Sequence, residues 1–430
     1  MFVYHSILAL LLVTVHQCWG QQKTYEGWSL IKAHPETESQ VEYLNSLREN
    51  ESGFELQVWQ QGNLKRPFDI FLSPEAKEPF LAKLDELGIK YTTASQNVQR
   101  AIDAEKIPAP ARTRSNVKNA GWFSKFLRLE EINAAIQQLA RENPNIVKVE
   151  SIGTTHQKRP ITLVTLSSGG RGKPAIWLDG GIHSREWASP ATVLYILNKL
   201  VTGYNTNSTL KNYVDSATWY IVPVLNPDGY DYTHNGDRMW RKNRRKNACS
   251  GRYCCEGVDL NRNFGYGFGG AGTSGDTCDD TYRGQSAFSE PESAAVRDFV
   301  LSHKDIKAFL TIHAYSQMWF YPYGDRYNSY PPDARELESV AKQGARALAA
   351  LYGTRYDVGT AADLLYEAAG GSDDWAKGNA GIKYVYCLEL RPGGNAAGNG
   401  FILPPSQIVP TAEETWAGLS VVANAVIGKK

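Results

Sequence analysis

The sequence predicts an α/β protein: a mixed, largely parallel sheet flanked by helices, preceded by a small α+β unit. Two observations predict it. From about residue 115 onward, short apolar runs alternate with longer segments of helical period, which is the pattern of strands joined by crossover helices. Ahead of that, the pieces are shorter and mixed, and a stretch rich in Pro, Ala, Arg and Asn separates the two regions. The chain has 430 residues, 42% hydrophobic and 21% charged. That is enough apolar material for a large core and two or three domains. A net charge of +1 gives no electrostatic reason to expect a nucleic-acid or membrane-surface partner.

The opening "MFVYHSILALLLVTVHQCWG", residues 1–20, is an apolar run ending in a small residue. It reads as a secretory signal peptide, although its first residues contain no Lys or Arg. Secretion implies an oxidising compartment. Five cysteines then remain: Cys249, Cys254, Cys255, Cys278 and Cys387. The odd count leaves a free thiol or an intermolecular bond. Four of them crowd into residues 249–278, which reads as a stapled loop, since no paired CxxC spacing suggests a zinc knuckle.

Taken in order, "ETESQVEYLNSLREN" and "EAKEPFLAKLDELG" have helical spacing, and "FELQVWQ" and "FDIFLS" read as strands. Residues 104–121, "AEKIPAPARTRSNVKNAG", read as an exposed linker that a trypsin-like protease could cut at Arg112 or Arg114. A small module followed by a basic, cleavable linker reads as a pro-segment over 21–114. Helix "LEEINAAIQQLARENPN" follows, then strands "VKVESIGT", "ITLVTLSS" and "AIWLDGG". Next come helix "SPATVLYILNKLVTGY", strand "ATWYIVPVLNP", helix "SEPESAAVRDFVLSHK" and strand "IKAFLTIHAY". A long helix through "DARELESVAKQGARALAALYG", strand "IKYVYCLELR" and helix "TAEETWAGLSVVANAVIG" complete the chain. Ligands of such folds gather at the C-terminal ends of the strands.

His183 and Glu186 stand three apart just after a buried strand, and a single turn between them would aim both at one point. Two His and one Glu are a common zinc donor set that leaves a position for water. The third ligand should be a histidine at a strand end, and His313 after "AFLTI" fits. His156, His234 and His303 lie in polar or charged stretches and read as solvated. Two sequons, at Asn50 and Asn207, are candidate glycan acceptors.

The motifs "GIHSREW", "NPDGYDYTH", "MWRKNR", "GVDLNRNF", "HAYSQMWFYPYG", "GGSDDWA", "CLELR" and "LPPSQIVPTAEETW" occur in this order. Together they resemble the zinc carboxypeptidases of the pancreatic A/B type, including insect digestive forms. The resemblance spans nearly all of residues 115–430, expected as the catalytic domain, and 21–114 looks like that family's activation peptide. It implies one Zn2+ per chain held by His183, Glu186 and His313, which would acidify water and polarise the scissile carbonyl. It implies Glu389 as general base and Arg241 as oxyanion stabiliser. Asn261 and Arg262 match the clamp for a terminal carboxylate and Tyr366 the mobile tyrosine, while Arg185 would assist along the cleft and Tyr315 would line the subsite on the other side of the scissile bond.

Asp373 matches the pocket position that carries Asp in members removing Lys and Arg. Asp374 beside it reads as structural. Gly370 and Gly371 would let backbone approach the ligand closely. The resemblance also implies a Cys255–Cys278 disulfide. The extra Cys249 and Cys254 would pair with each other and leave Cys387 free, two residues before Glu389 on the same strand face. Ala361 and Ala362 lie at the approach to the pocket. The expected protein is a secreted, monomeric zymogen, in a digestive lumen or elsewhere outside the cell. It would be activated by a trypsin-like protease and act on peptides or proteins with a free C-terminus. The same mechanism with an apolar or aromatic C-terminal preference is the alternative, and a catalytically silent peptide-binding relative is a further one.

Overall fold

The computed structural model describes residues 22–47, 53–110, 118–249, 254–393 and 399–428. Residues 1–20, expected as a signal peptide, and Asn50, Arg112 and Arg114 lie outside the described residues. The N-terminal unit contains β1 (Ser29–His34), α1 (Glu38–Ser46), β2 (Leu56–Gln60), β3 (Phe68–Leu72), α2 (Pro74–Glu86), β4 (Lys90–Ser95) and α3 (Val98–Glu105). Its strands form a 4-stranded sheet in the order β2-β3-β1-β4, antiparallel throughout. The alternation of β3 divides its faces. Phe68, Ile70 and Leu72 join the unit's own core, while Asp69 and Phe71 point the other way, toward the larger domain.

The larger domain begins with α4 (Leu129–Glu142), β5 (Val147–Thr154), β6 (Pro160–Leu166), β7 (Ala175–Gly180) and α5 (Ala188–Gly203). It continues through α6 (Ser208–Ser216), β8 (Thr218–Val222), α7 (Pro227–Asn235), α8 (Pro291–Ser302), β9 (Ile306–Ser316) and β10 (Met318–Phe320). It closes with α9 (Ala334–Tyr352), β11 (Asp357–Gly359), α10 (Ala361–Leu364), α11 (Ser372–Gly378), β12 (Tyr384–Gly393) and α12 (Ile408–Val426). The 8-stranded sheet runs β11-β10-β12-β9-β7-β8-β6-β5. Its centre, β12-β9-β7-β8, is parallel, and the pairings of β5, β6 and β8 and of β10 with β12 are antiparallel. The sheet is thus mixed and largely parallel, as the alternation of strands and helices predicts.

Burial on both faces explains why these central strands read as continuous apolar runs. In β7, Ile176 and Leu178 pack with α5 and α12 in one core, while Trp177 enters a second core with Phe309 and residues of α8 and α11. The strand read as "ATWYIVPVLNP" stops at Val222, because Pro223 has no N–H for the ladder. Among the described residues no helix is long and apolar enough to cross a membrane. Disulfides join Cys255 to Cys278 and Cys249 to Cys254, and Cys387 is a buried free thiol.

Candidate active site

The chain leaves β7 through Gly180 and Gly181. Gly181 has φ +66, and a Cβ there would lie 2.9 Å from the Pro190 side chain, so only glycine turns the chain at this point. A tight turn follows, with the Glu186 N–H donating to the His183 carbonyl at 3.3 Å. It turns both side chains to one point, as the spacing predicts. His183 Nδ1 lies 2.7 Å from Glu186 Oε1. His313, near the C-terminal end of β9, places its Nδ1 3.2 Å from His183 Nδ1 and 3.2 Å from Glu186 Oε2. All three residues are buried, and their donor atoms lie within 4.8 Å of one another.

This cluster fits a zinc ion. Two imidazole nitrogens facing each other, with a carboxylate beside both, form the N2O donor set that Zn2+ takes. Without a cation, the two rings hold protons unequally. Burial, aided by the Arg241 charge, pushes His183 down. Burial also opposes charge on His313, but Glu186 outweighs it and raises that ring to about 9. Glu186 is itself held far below the usual carboxylate range by the two rings, against the effect of burial.

Register places Glu389 beside the cluster, since it pairs with His313 across β12 and β9. Its Oε2 has no hydrogen-bond partner, and burial, reinforced by the Glu186 charge, raises the group to about 8. Cys387 is on the same face of β12 and lines the same cleft. Arg241 does not point freely into that cleft. Its Nε and Nη2 donate to Asp259 Oδ2 at 3.0 and 2.8 Å.

Asp259 is the residue that motif spacing did not single out. It is fully buried, and its Oδ1 accepts from the Asn261 N–H at 2.9 Å and lies 3.2 Å from His183 Nε2. One carboxylate therefore ties a metal-ligand candidate, the arginine and the following turn together. It lies in "GVDLNRNF", but nothing in a single sequence separates it from a surface aspartate.

Asn261, Arg262, Tyr366 and Asp373 line the same cleft. Arg262 is braced by Nε donating to the Gly272 carbonyl at 2.9 Å. Asn261 Oδ1 accepts from the Ser372 N–H at 2.9 Å, which fixes the start of α11 and with it Asp373. Burial raises Asp373. Asp374 is structural: both its oxygens accept from the Gly324 N–H at 2.9 Å. Gly370, with φ +77, does permit a close approach, but to backbone rather than to a ligand. A Cβ there would lie 2.5 Å from the Arg262 carbonyl oxygen.

Tyr315 lines the cleft and Arg185 the groove beside it, and both side chains are held by partners. Arg185 bonds Asp280 at 3.1 Å and sits over the Phe401 ring. The Tyr315 hydroxyl donates to Asp69 Oδ2 of β3 at 2.5 Å, and Lys32 neutralises the other Asp69 oxygen at 2.8 Å. Trp59 and Gln60 of β2 also line the cleft. Of the histidines expected as solvated, His156 is exposed as expected while contacting Glu290 at 2.9 Å, and His234 and His303 are half-buried, stacked on Trp187 and Phe299. Glu105, expected in an exposed linker, is buried and forks onto Arg238 at 2.7 and 2.9 Å.

Similarity to known proteins spans both units of the chain. The family model described as zinc carboxypeptidase matches residues 132–418, and that described as carboxypeptidase activation peptide matches 31–105. Carboxypeptidase A2 of Mus musculus is 39% identical over 420 residues, covering 97% of this chain and 98% of the relative. Carboxypeptidase B of Astacus astacus is 44% identical over 306 residues, covering 71% of this chain and 98% of the relative. The crystal structure of carboxypeptidase A from Helicoverpa armigera superposes with a TM-score of 0.85 at 33% identity, covering 95% of this chain and 99% of that one.

Proposed function

The chain belongs to the zinc carboxypeptidase family and carries that family's activation peptide, and from this premise we propose that it removes Lys and Arg from the C-termini of peptides outside the cell. His183, Glu186 and His313 would hold the zinc. When bound, zinc supplies Lewis-acid polarisation of the scissile carbonyl and lowers the pKa of water.

The chain's own residues do the rest. Glu389 takes the proton from the attacking water and returns it to the leaving amine. Arg241, oriented by Asp259, donates to the oxygen where negative charge develops. Asn261 and Arg262 bind the terminal carboxylate and so restrict cleavage to the last bond. Tyr366 closes over the substrate. Arg185 and Tyr315 line the upstream side once the pro-segment has left.

Asp373 is the observation that carries the specificity. It is a carboxylate lining the cleft beside Phe320, Ala361, Leu365 and Cys387, with Arg262 and His313 the nearest charges of opposite sign. Burial among apolar side chains disfavours the charged carboxylate, and a Lys or Arg side chain entering the pocket relieves that cost. The same apolar walls favour the alternative, an apolar C-terminal residue, as does the similarity to an A-type relative.

Kinetics of the trypsin-treated protein on peptides differing only in a C-terminal Arg or Phe separate the two. The expected result is a kcat/KM for the Arg peptide roughly a hundredfold or more above that for Phe, reversed in Asp373→Ile. Faster cleavage of the Phe peptide by the unsubstituted protein overturns the proposal.

A further inference from the structure

The sequon Asn207-Ser208-Thr209 belongs to no part of the cleft. We propose that Asn207 is N-glycosylated and bears its glycan on Nδ2 while Oδ1 continues to cap α6. This rests on the proposal that the chain is exported through the secretory route.

The geometry of the cap supports it. Asn207 is the N-cap of α6, with φ −136 and ψ 113, and its Oδ1 accepts from the N–H groups of Thr209 and Leu210 at 3.0 Å each. The side-chain amide is planar, so an oxygen turned toward the helix end directs the nitrogen away from it. Nδ2 makes no hydrogen bond among the described residues. Residues 205–209 are all exposed.

The other asparagines that cap helices differ. Asn97, at the start of α3, spends Nδ2 on Glu26 at 2.6 Å. Asn226, at the start of α7, is buried and spends Nδ2 on the Ile182 and Lys242 carbonyls at 3.2 and 3.1 Å. Among the described residues, only at Asn207 is an asparagine cap made by oxygen alone, with nitrogen facing solvent.

The chemistry leaves the cap intact. The donor is an oligosaccharide linked to a lipid through pyrophosphate. An N–C bond forms between Nδ2 and the first sugar carbon, the bond from that carbon to the pyrophosphate oxygen breaks, and the lipid diphosphate leaves. One Nδ2 proton passes to a base of the transferase, and nothing is oxidised or reduced. The carbonyl oxygen keeps its lone pairs and remains an N-cap acceptor.

Placement also suits a bulky group. Helix α6 leads into the start of β8, where Thr218 pairs with Ala175 at the start of β7. His183 follows the far end of β7, and successive strand residues rise about 3.3 Å. The glycan would therefore stand at the opposite end of the sheet from the cleft.

The test uses full-length protein recovered from the medium of eukaryotic cells. Peptide mapping reads residue 207 before and after peptide-N-glycosidase, which separates it from any glycan at Asn50. The expected result is a glycan on the Asn207 peptide, converted by the enzyme to Asp. Thr209→Ala and Asn207→Asp should each lose that glycan. Ser208→Pro should lose it too, while placing proline at a helix position that favours it. All three should be activated by trypsin as the parent is. Asn207→Asp should keep the melting temperature of the deglycosylated parent, and Asn207→Ala should fall below it. Secreted protein with an unmodified Asn207 overturns the proposal. Absence of the protein from the medium overturns the export on which it rests.

Discussion

At the scale of single residues, Asp259 joins what would otherwise be separate functions. Its two oxygens reach His183, Arg241 and the Asn261 N–H. Carboxylates behind a histidine ligand set its tautomer and basicity. Asp259→Asn, nearly the same shape without the charge, should weaken zinc binding by roughly 10–100-fold and lower kcat together; an unchanged zinc titration would contradict this role. Glu292 illustrates a different kind of buried carboxyl. It lies at the start of α8 among Glu290, His156, Asn243 and Arg245, and burial first, then the Glu290 charge, raises it to about 7 from 4.5. The folded chain thus holds this proton more tightly than the unfolded one. Its contribution to stability is complete below about pH 4.5 and is lost as pH rises through about 7. Glu292→Gln should flatten the pH dependence of the denaturation midpoint between those values. A slope equal to that of the parent would show that other groups set it.

At the scale of elements, legibility followed periodicity. Strands β7, β9 and β12 are buried on both faces and read as apolar runs, and α5, α9 and α12 are long enough to repeat their pattern. Strand β4, "KYTTAS", escaped notice because it is a largely exposed edge strand without apolar alternation. Helix α7, "PDGYDYTHN", opens with Pro-Asp-Gly, which reads as a turn, and α11 has only 7 residues. The linker reading failed at Glu105 for a different reason. Glu105 ends α3, and its partner Arg238 lies 133 residues away. No local pattern announces such a pair. Glu105→Ala would leave the Arg238 charge buried without its carboxylate, at a cost of about 3–5 kcal/mol. The uncleaved precursor should then show higher activity on long peptides than the parent precursor. Equal latency would mean that the pair does not hold the pro-segment in place.

At the scale of the whole molecule, two units meet over one cleft, and much of the chemistry on its floor was legible in ordered motifs. His183, Glu186, His313 and Glu389 come from distant points of the chain, yet each carries a recognisable neighbourhood, and the sheet's register brings them together. What covers the cleft was not legible. Trp59 and Gln60 line it, Asp69 holds Tyr315, and Arg66 reaches Asp357 at 2.6 Å, and these contacts depend on how the units dock rather than on any local pattern. The N-terminal unit docks through these polar contacts and through Trp59 and Phe71, which join the larger domain's core, and the buried cluster lies beneath it. The most direct test of that centre follows zinc content and peptide hydrolysis together as a chelator is titrated into the trypsin-treated protein, with Glu389→Gln in parallel. The parent should begin with one zinc per chain and lose activity in step with it, and Glu389→Gln should keep the zinc while kcat falls by roughly 10²–10⁴-fold. Hydrolysis that persists after the zinc has gone would contradict the account.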